Sequence, residues 1–285
     1  MPEQVIDFEA VPPEDIEWVD GFATPPSIPI RPLHALLSVI KLVGNKEDTR
    51  QVFEIVQSLS GRSGNRMFKR FVASPYGRRV VTEPVRLEDI LSDREKLRAL
   101  PVGSVGRAYL DFMEGENLTP EGLIDAAEEA GIDFRGETQF EEYRRLFLHL
   151  DVSHDLWHVF SGYDRDALGE LCNLIFTYKQ SRNKGFLFIV LIGLIAQKIE
   201  RPGAPIYKAL QEAWRNSKET EWVPAFDVEE LLSLPLEEAR AKMNIKEPSV
   251  YNNIPDEIKR NLLKPKVKQT QTERENSRSP QAAAS

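Results

Sequence analysis

In the run SHDLWHVFSGYDRDALGELCNLIF, His154, Asp155 and His158 are followed twelve positions after the second histidine by Glu170. On a helix advancing about 100° per residue, His154 and His158 lie about 40° apart and Asp155 stays within the same 100° arc. The three side chains can therefore converge on one point. Ser161-Gly162-Tyr163 interrupts the helix, and a second helix starting near Asp164 or Asp166 brings Glu170 back from a neighbouring element. The chain is thus constrained to a helix–turn–helix that faces two imidazoles and two carboxylates, with no thiolate, toward each other. That donor set suits a divalent metal, with zinc first and iron, manganese or cobalt as alternatives. The i, i+4 histidine pair is the device used by zinc metalloproteases, where a glutamate follows the first histidine instead.

Two histidines four apart also occur as plain core residues on amphipathic helices. Here, however, the chain has only four histidines and two of them are in this run. Asp155 adds a third ligand-type group beside apolar Leu156, Trp157, Val159 and Phe160, and a carboxylate on a buried face needs a partner. His149, five residues before His154 and about 140° round the helix, is expected outside the ligand set.

Helical periodicity dominates the remainder. Leu33, Leu36, Leu37, Ile40 and Val43 recur at helical spacing from Pro32, with Gly44-Asn45 as the stop. Further helices are expected at 48–60, 63–74, 93–100, 104–116, 119–130 (opened by Thr119 as N-cap and Pro120), 139–161, 166–182, 185–200, 205–218, 227–232 and 235–243. Only Arg79 to Val81 and Trp222 to Pro224 suggest short extended pieces. The expected fold is all-α: a single bundle-like domain over 32–246, an acidic, proline-rich N-terminal arm over 1–31, and a C-terminal extension over 247–285 that is disordered from about 265. Trp18 and Phe22 are the candidates to anchor the arm. Residues 264–285 carry five Lys or Arg against two Glu and lack aromatic residues, a composition that cannot bury enough surface to fold. A solvated tail is the default reading, and a weak anchor for anionic lipid headgroups the sharper one.

Composition narrows the function. A net charge of −8 argues against nucleic acid as a partner. The single cysteine, Cys172, excludes an internal disulfide framework and reads as a buried structural thiol in a reducing compartment. The first thirty residues contain seven acids and no Lys or Arg, unlike a secretory signal or an Arg-rich transit peptide, so the chain reads as bacterial and cytoplasmic. The twelve-residue apolar run GFLFIVLIGLIA (185–196) is too short to span a membrane, which takes about 20 residues. It is expected to be a buried core helix or one lining an apolar ligand slot with Leu171, Ile175 and Phe176. Peripheral contact with the inner membrane and a homodimer both stay open.

The motif His-Asp-x-x-His, eleven residues and Glu resembles the signature of the coenzyme Q biosynthesis protein four family. Four further blocks resemble family segments in family order across roughly 32 to 246: SPYGRRVVTEPVRL (74–87), LRALPVGSVGRAYLDFM (97–113), LGELCNLIF (168–176) and LPLEEARAKMNI (234–245). The chain departs from the family elsewhere. The Arg-Tyr-Arg-Glu lead-in to the motif reads His149-Leu150-Asp151-Val152, the Thr-Gly-Leu-Pro-Met block reads Ser181-Arg182-Asn183-Lys184-Gly185, and the Phe-Gly-Pro-x-Arg-Leu ending reads Ile192-Gly193-Leu194-Ile195-Ala196. The ligand-type residues are kept while their surroundings differ.

The resemblance implies a role in ubiquinone synthesis on a prenylated aromatic acid, namely replacing the carboxyl at ring carbon 1 of a polyprenylated hydroxybenzoate by a hydroxyl, with other enzymes of the pathway as partners. In that reading His154, His158, Glu170 and Asp155 are metal ligands. Asp155 is either the fourth ligand or an acceptor that fixes an imidazole tautomer, and is the candidate catalytic residue. One alternative is a non-catalytic prenyl-lipid-binding scaffold with a structural metal. Another is a His-Asp superfamily phosphohydrolase, which needs a separate upstream histidine; only His34 and His149 are available.

Overall fold

The computed structural model describes residues 11–44, 48–83 and 86–263; the tail from 264 onward lies outside the described residues. The chain opens with a 3₁₀ turn (Pro13–Asp15) and a small antiparallel hairpin, β1 (Glu17–Val19) and β2 (Phe22–Thr24), joined by the hairpin dipeptide Asp20-Gly21. Helices follow: α1 (Pro32–Gly44), α2 (Thr49–Ser58), α3 (Ser63–Val72), α4 (Pro75–Thr82), α5 (Leu87–Ser92), α6 (Arg94–Ala99), α7 (Val105–Gly115) and α8 (Pro120–Glu129). The second half comprises α9 (Glu141–Val152), α10 (His154–Ser161), α11 (Ala167–Ser181), α12 (Lys184–Glu200) and α13 (Ile206–Glu219). A 3₁₀ turn (Val223–Ala225) and the short α14 (Val228–Ser233), α15 (Leu236–Lys242), α16 (Ser249–Asn252) and α17 (Asp256–Asn261) complete it. The fold is all-α.

Two apolar clusters divide the interior. The first gathers Phe68, Phe71, Tyr109, Leu146, Leu156, Trp157 and Phe160 from α3, α7, α9 and α10, with Phe140 at the N-cap of α9. The second gathers Leu168, Leu171, Cys172, Ile175, Ile189, Ala209 and Tyr251 from α11, α12, α13 and α16, with Ile254 just beyond α16. Helix α10 contributes to the first and the start of α11 to the second, so the turn between them lies on the seam of the two cores. Residues after Pro248 extend the second core: Tyr251, Ile254 and Leu262 are buried there. Each Leu or Ile at such a position, cut to Ala, costs about 2–5 kcal/mol.

Local chemistry explains where the structure departs from the expected elements. The helix expected over 139–161 breaks at Ser153, whose hydroxyl donates to the His149 carbonyl at 2.6 Å. That back-bonding competes with the main-chain ladder and bends the chain, giving α9 and α10. Arg79 to Val81 is not extended but lies in α4, where Ser74 accepts from the Gly77 amide at 3.0 Å and Pro75 occupies the first helical position. Trp222 to Pro224 likewise leads into a 3₁₀ turn, with the indole N–H donating to the Gln180 carbonyl at 3.0 Å. Thr119 caps α8 as expected, accepting from Gly122 at 3.3 Å. In the arm Phe22 packs edge-on against Phe68 at 6.0 Å, whereas Trp18 is exposed. The run 185–196 is not a fully buried helix: α12 packs on α11, α2 and α1 along one side, and Leu191 and Ile195 face outward. Leu171, Ile175 and Phe176 are core side chains.

His149 is buried between Phe71 and Tyr76, ring centroids 5.7 and 5.6 Å away, and burial lowers its pKa to about 4. The unfolded chain protonates this imidazole near 6.5. Its neutral burial therefore stabilises the fold fully above about pH 6.5, and that contribution is lost as pH falls toward 4. Its size is at most about 3 kcal/mol. Replacing His149 by Leu should flatten the loss of stability between about pH 6.5 and 4, measured by urea unfolding at stepped pH. An acid limb as steep as the wild type's would contradict this placement.

Candidate metal centre

His154 and His158 occupy successive turns of one face of α10, with Nε2 atoms 3.3 Å apart. Glu170, in the first turn of α11, meets them from the opposite wall: its Oε2 is 3.4 Å from His158 Nε2 and 3.9 Å from His154 Nε2. All three ligand atoms lie within 4.8 Å of one another. Nitrogen and oxygen ligands about 2.0–2.2 Å from a tetrahedral ion stand about 3.3–3.6 Å apart, so the spacing suits one ion with little rearrangement. Three side chains also leave coordination positions for other ligands.

The turn that brings Glu170 back is held at several points. Gly162 ends α10 at φ +75, where a Cβ would meet Pro248 Cδ at 3.0 Å and Arg240 Nη2 at 3.3 Å, so a side chain there is both strained and crowded. Arg240 of α15 donates to the carbonyls of Phe160 (3.0 Å) and Val159 (3.1 Å), satisfying the open end of α10. Asp166 caps α11 by accepting from Leu168 and Gly169 at 3.0 and 3.1 Å, and its other oxygen accepts a hydrogen bond from the Tyr251 hydroxyl. A Cβ at Gly169 would collide with the Asp164 carbonyl, so this glycine lets α11 start tight against the turn.

The turn also sets the chemistry. His158 Nδ1–H donates to the Tyr163 carbonyl at 2.8 Å, which leaves the Nε2 lone pair facing His154 and Glu170. The Phe112 ring stacks on His158 at 5.6 Å and 19° and shields it from water. Burial would lower the pKa of His158, but the Glu170 charge and hydrogen bond and the Tyr163 carbonyl outweigh it and raise the value. Burial and the neighbouring His158 lower that of His154. Glu170, which burial would raise, is held below the usual carboxylate range by His158, His154 and Arg165. A carboxylate fixed in its ionised form beside two inward-facing imidazole nitrogens is the donor set a divalent cation takes.

Asp155 lies on the same helix and is buried, but outside the three-residue cluster. Its charge bears on both histidines, on the Tyr109 hydroxyl of α7 and on Asp151, which burial and Asp155 push well above the usual carboxylate range. Among the described residues Tyr109 Oη and Asp151 Oδ2 are buried without hydrogen-bond partners, so Asp155 belongs with a set of buried polar groups on α7, α9 and α10. Among the described residues His149 joins no cluster of ligand-type groups, and His34 sits 3.3 Å from Glu54, so neither supplies the histidine that the phosphohydrolase reading needs.

Four cations lie near the motif in the sequence, Arg144, Arg145, Arg165 and Lys179, and of these Arg165 stands beside the cluster. Its Nε is 3.7 Å from Glu170 Oε1 and its Nη1 3.7 Å from Glu116 Oε2. Arg144 is committed to the carbonyls of Phe134 and Gly136, and Arg145 to those of Val81 and Glu83. Lys179 lies 3.3 Å from the Trp214 ring centroid. Phe112, Glu116, Arg240 and Tyr251 went unrecognised in the sequence, since none lies near the motif or at a telling spacing from it.

Fold and cluster together define a protein of the all-α class with a two-histidine, one-glutamate cluster of metal-ligand type. A model of the family "Coenzyme Q (ubiquinone) biosynthesis protein Coq4" matches residues 28–249, and the chain belongs to that family. A curated relative from Bos taurus, the mitochondrial ubiquinone biosynthesis protein COQ4 homolog, is 25% identical over 245 residues, covering 84% of this chain and 88% of its own. The mitochondrial COQ4 of Scheffersomyces stipitis is 26% identical over 210 residues, covering 70% and 60%. A crystal structure from Nostoc punctiforme, provisionally described as a ubiquinone biosynthesis protein, shares the fold. Its TM-score is 0.53 at 16% identity, over 76% of this chain and all of that one.

After loading with zinc, iron(II), manganese or cobalt, metal analysis should find one ion per wild-type chain and a loss of most of it in His158→Ala and Glu170→Ala. Asp155→Asn should keep it. A fall in thermal stability should accompany the metal loss. Unchanged stoichiometry in both alanine variants would contradict the assignment.

Proposed function

We propose that this protein, within ubiquinone biosynthesis, replaces the carboxyl at ring carbon 1 of a polyprenylated hydroxybenzoate by a hydroxyl, using a divalent metal bound by His154, His158 and Glu170. The observation that carries the reading is the three-ligand cluster in a member of the Coq4 family. Catalytic sites keep open positions, whereas structural sites use four protein ligands. The overall change consumes dioxygen and two electrons from a reductant. The carboxyl carbon leaves as carbon dioxide, one oxygen atom becomes the ring hydroxyl, and the other leaves as water. When bound, the metal would supply Lewis-acid stabilisation of charge on the substrate, and iron or manganese would add redox capacity that zinc lacks.

The chain's own residues do the remainder. The Tyr163 carbonyl keeps the His158 ring in one tautomer, and Phe112 keeps that face dry. Arg165 offers a planar fork of N–H donors beside the cluster, the group a substrate carboxylate calls for, and it stands in for the arginines lost from the lead-in. Asp155, buried beside Asp151 and Tyr109, is positioned to move a proton during the reaction.

Complementation of a bacterial strain lacking the ring carbon 1 decarboxylation tests this, with lipid extracts examined for quinone and for the carboxylated precursor. The wild type should restore quinone. Asp155→Ala and Arg165→Ala should keep their metal yet lower quinone formation about a hundredfold. No rescue by a well-expressed wild type would instead favour the non-catalytic lipid-binding scaffold for other biosynthetic enzymes.

A further inference from the structure

Tyr251 of α16 is fully buried and touches both ends of the turn that brings the metal-ligand groups together. Its ring packs edge-on against the Tyr163 ring, centroids 5.3 Å apart at 77°, and the Tyr163 carbonyl is the group that orients His158. Its hydroxyl accepts from the Asp164 amide at 3.2 Å and donates to the Asp166 carboxylate, with an Asp164 carboxylate oxygen 3.3 Å away. Asp166 in turn reaches Glu170. One of its carboxylate oxygens caps α11, and its carbonyl accepts the Glu170 amide at 2.9 Å. A Cβ on Gly169, the residue before Glu170, would stand 2.8 Å from the Tyr251 hydroxyl. The tyrosine is thus a spacer between the supports of His158 and those of Glu170, although it lies past residue 249, where the family match ends.

The spacer is itself fixed from outside the turn. Glu212 of α13 accepts from the Ser249 hydroxyl and the Val250 amide, both at 2.7 Å, which pins α16. Lys259 of α17, a buried cation, sets its ammonium 4.5 Å from the Tyr251 ring centroid and 3.1 Å from Asp256. Ile254 and Leu262 flank α17 and hold it on the second core. A hydroxyl bonded as donor and acceptor at once is fixed in direction, and a carboxylate partner strengthens the bond. Packing alone needs only the ring. The hydroxyl adds three polar contacts, and all of them lie in the turn between the ligands.

We infer that Tyr251 is a positioning residue of the metal centre, its hydroxyl setting the separation of His158 and Glu170 and hence the affinity and geometry of the bound ion. The inference rests on the metal-binding reading proposed above. By linkage, an ion that draws His158 and Glu170 together also tightens the docking of α16 on the turn.

The test uses the full chain with cobalt(II), whose visible absorption reports coordination geometry, and calorimetric titration for affinity. Tyr251→Phe should bind cobalt at least about tenfold more weakly, with an altered absorption spectrum. Ile189→Val, a change in the same core on α12, should keep the wild-type spectrum and an affinity within about twofold, whatever its thermal midpoint. Hydrogen exchange of the wild type needs no variant: cobalt should slow the amides of 249–254 at least about tenfold more than those of α2. Wild-type affinity and spectrum in Tyr251→Phe would overturn the inference and leave the metal site standing. So would cobalt that slows exchange over 154–170 but leaves 249–254 unchanged. A wild type that binds no cobalt, or a His158→Ala variant that binds it as the wild type does, would remove the metal-binding reading and this inference with it.

Discussion

The hydrogen bond from His158 Nδ1 to the Tyr163 carbonyl joins the site's chemistry to its architecture. One contact orients the imidazole, selects its tautomer and fixes the first residue of the turn that returns the chain to Glu170. Elements far from the motif exist, in effect, to keep that turn in place. Arg240 closes the end of α10, Pro248 crowds Gly162, and Tyr251 secures Asp164 and Asp166 at the start of α11. The final short helices are thus part of the site's support, although none supplies a ligand-type group.

Placing this turn on the seam of two cores has an energetic logic. Three titratable groups are drawn together away from bulk water, which is tolerable only if they satisfy one another or share a cation. Without a cation the cluster sets a His158 that takes up a proton more readily against a Glu170 held ionised. With one, the same geometry is met by ligation, and folding and binding reinforce each other. Behind it, the raised carboxyl of Asp151 and the unpartnered Tyr109 hydroxyl show that polar groups have been kept in the interior at some cost to stability. Such an arrangement is usual where proton transfer is needed.

Much of this was legible in the chain. The i, i+4 histidines, the glycine that ends α10 and the capping Asp166 are local devices whose geometry follows from helix dimensions, so the return of Glu170 could be foreseen. What failed was whatever depends on tertiary contact. A serine hydroxyl bending the chain at 153 carries no periodic signal. Val80 and Val81 suggest a strand until Ser74 and Pro75 are weighed as a helix start. Asp155 shares the motif's arc, yet a side chain 100° from His154 on a packed helix turns toward α7 and α9 as readily as toward α11. Arg165 could be singled out from Arg144, Arg145 and Lys179 only once the partners of those three were visible. The apolar run of α12 pointed to the interior, because composition reports hydrophobicity but not which neighbours cover it.

The central claim is that His154, His158 and Glu170 act as one ligand set with positions left open for substrate. X-ray absorption of the metal-loaded protein tests it most directly. The expected first shell holds two imidazole nitrogens, carboxylate oxygen and exchangeable water, and it is unchanged in Asp155→Asn. A shell closed by four protein ligands, or one that keeps its imidazoles and its metal in Glu170→Ala, would contradict it.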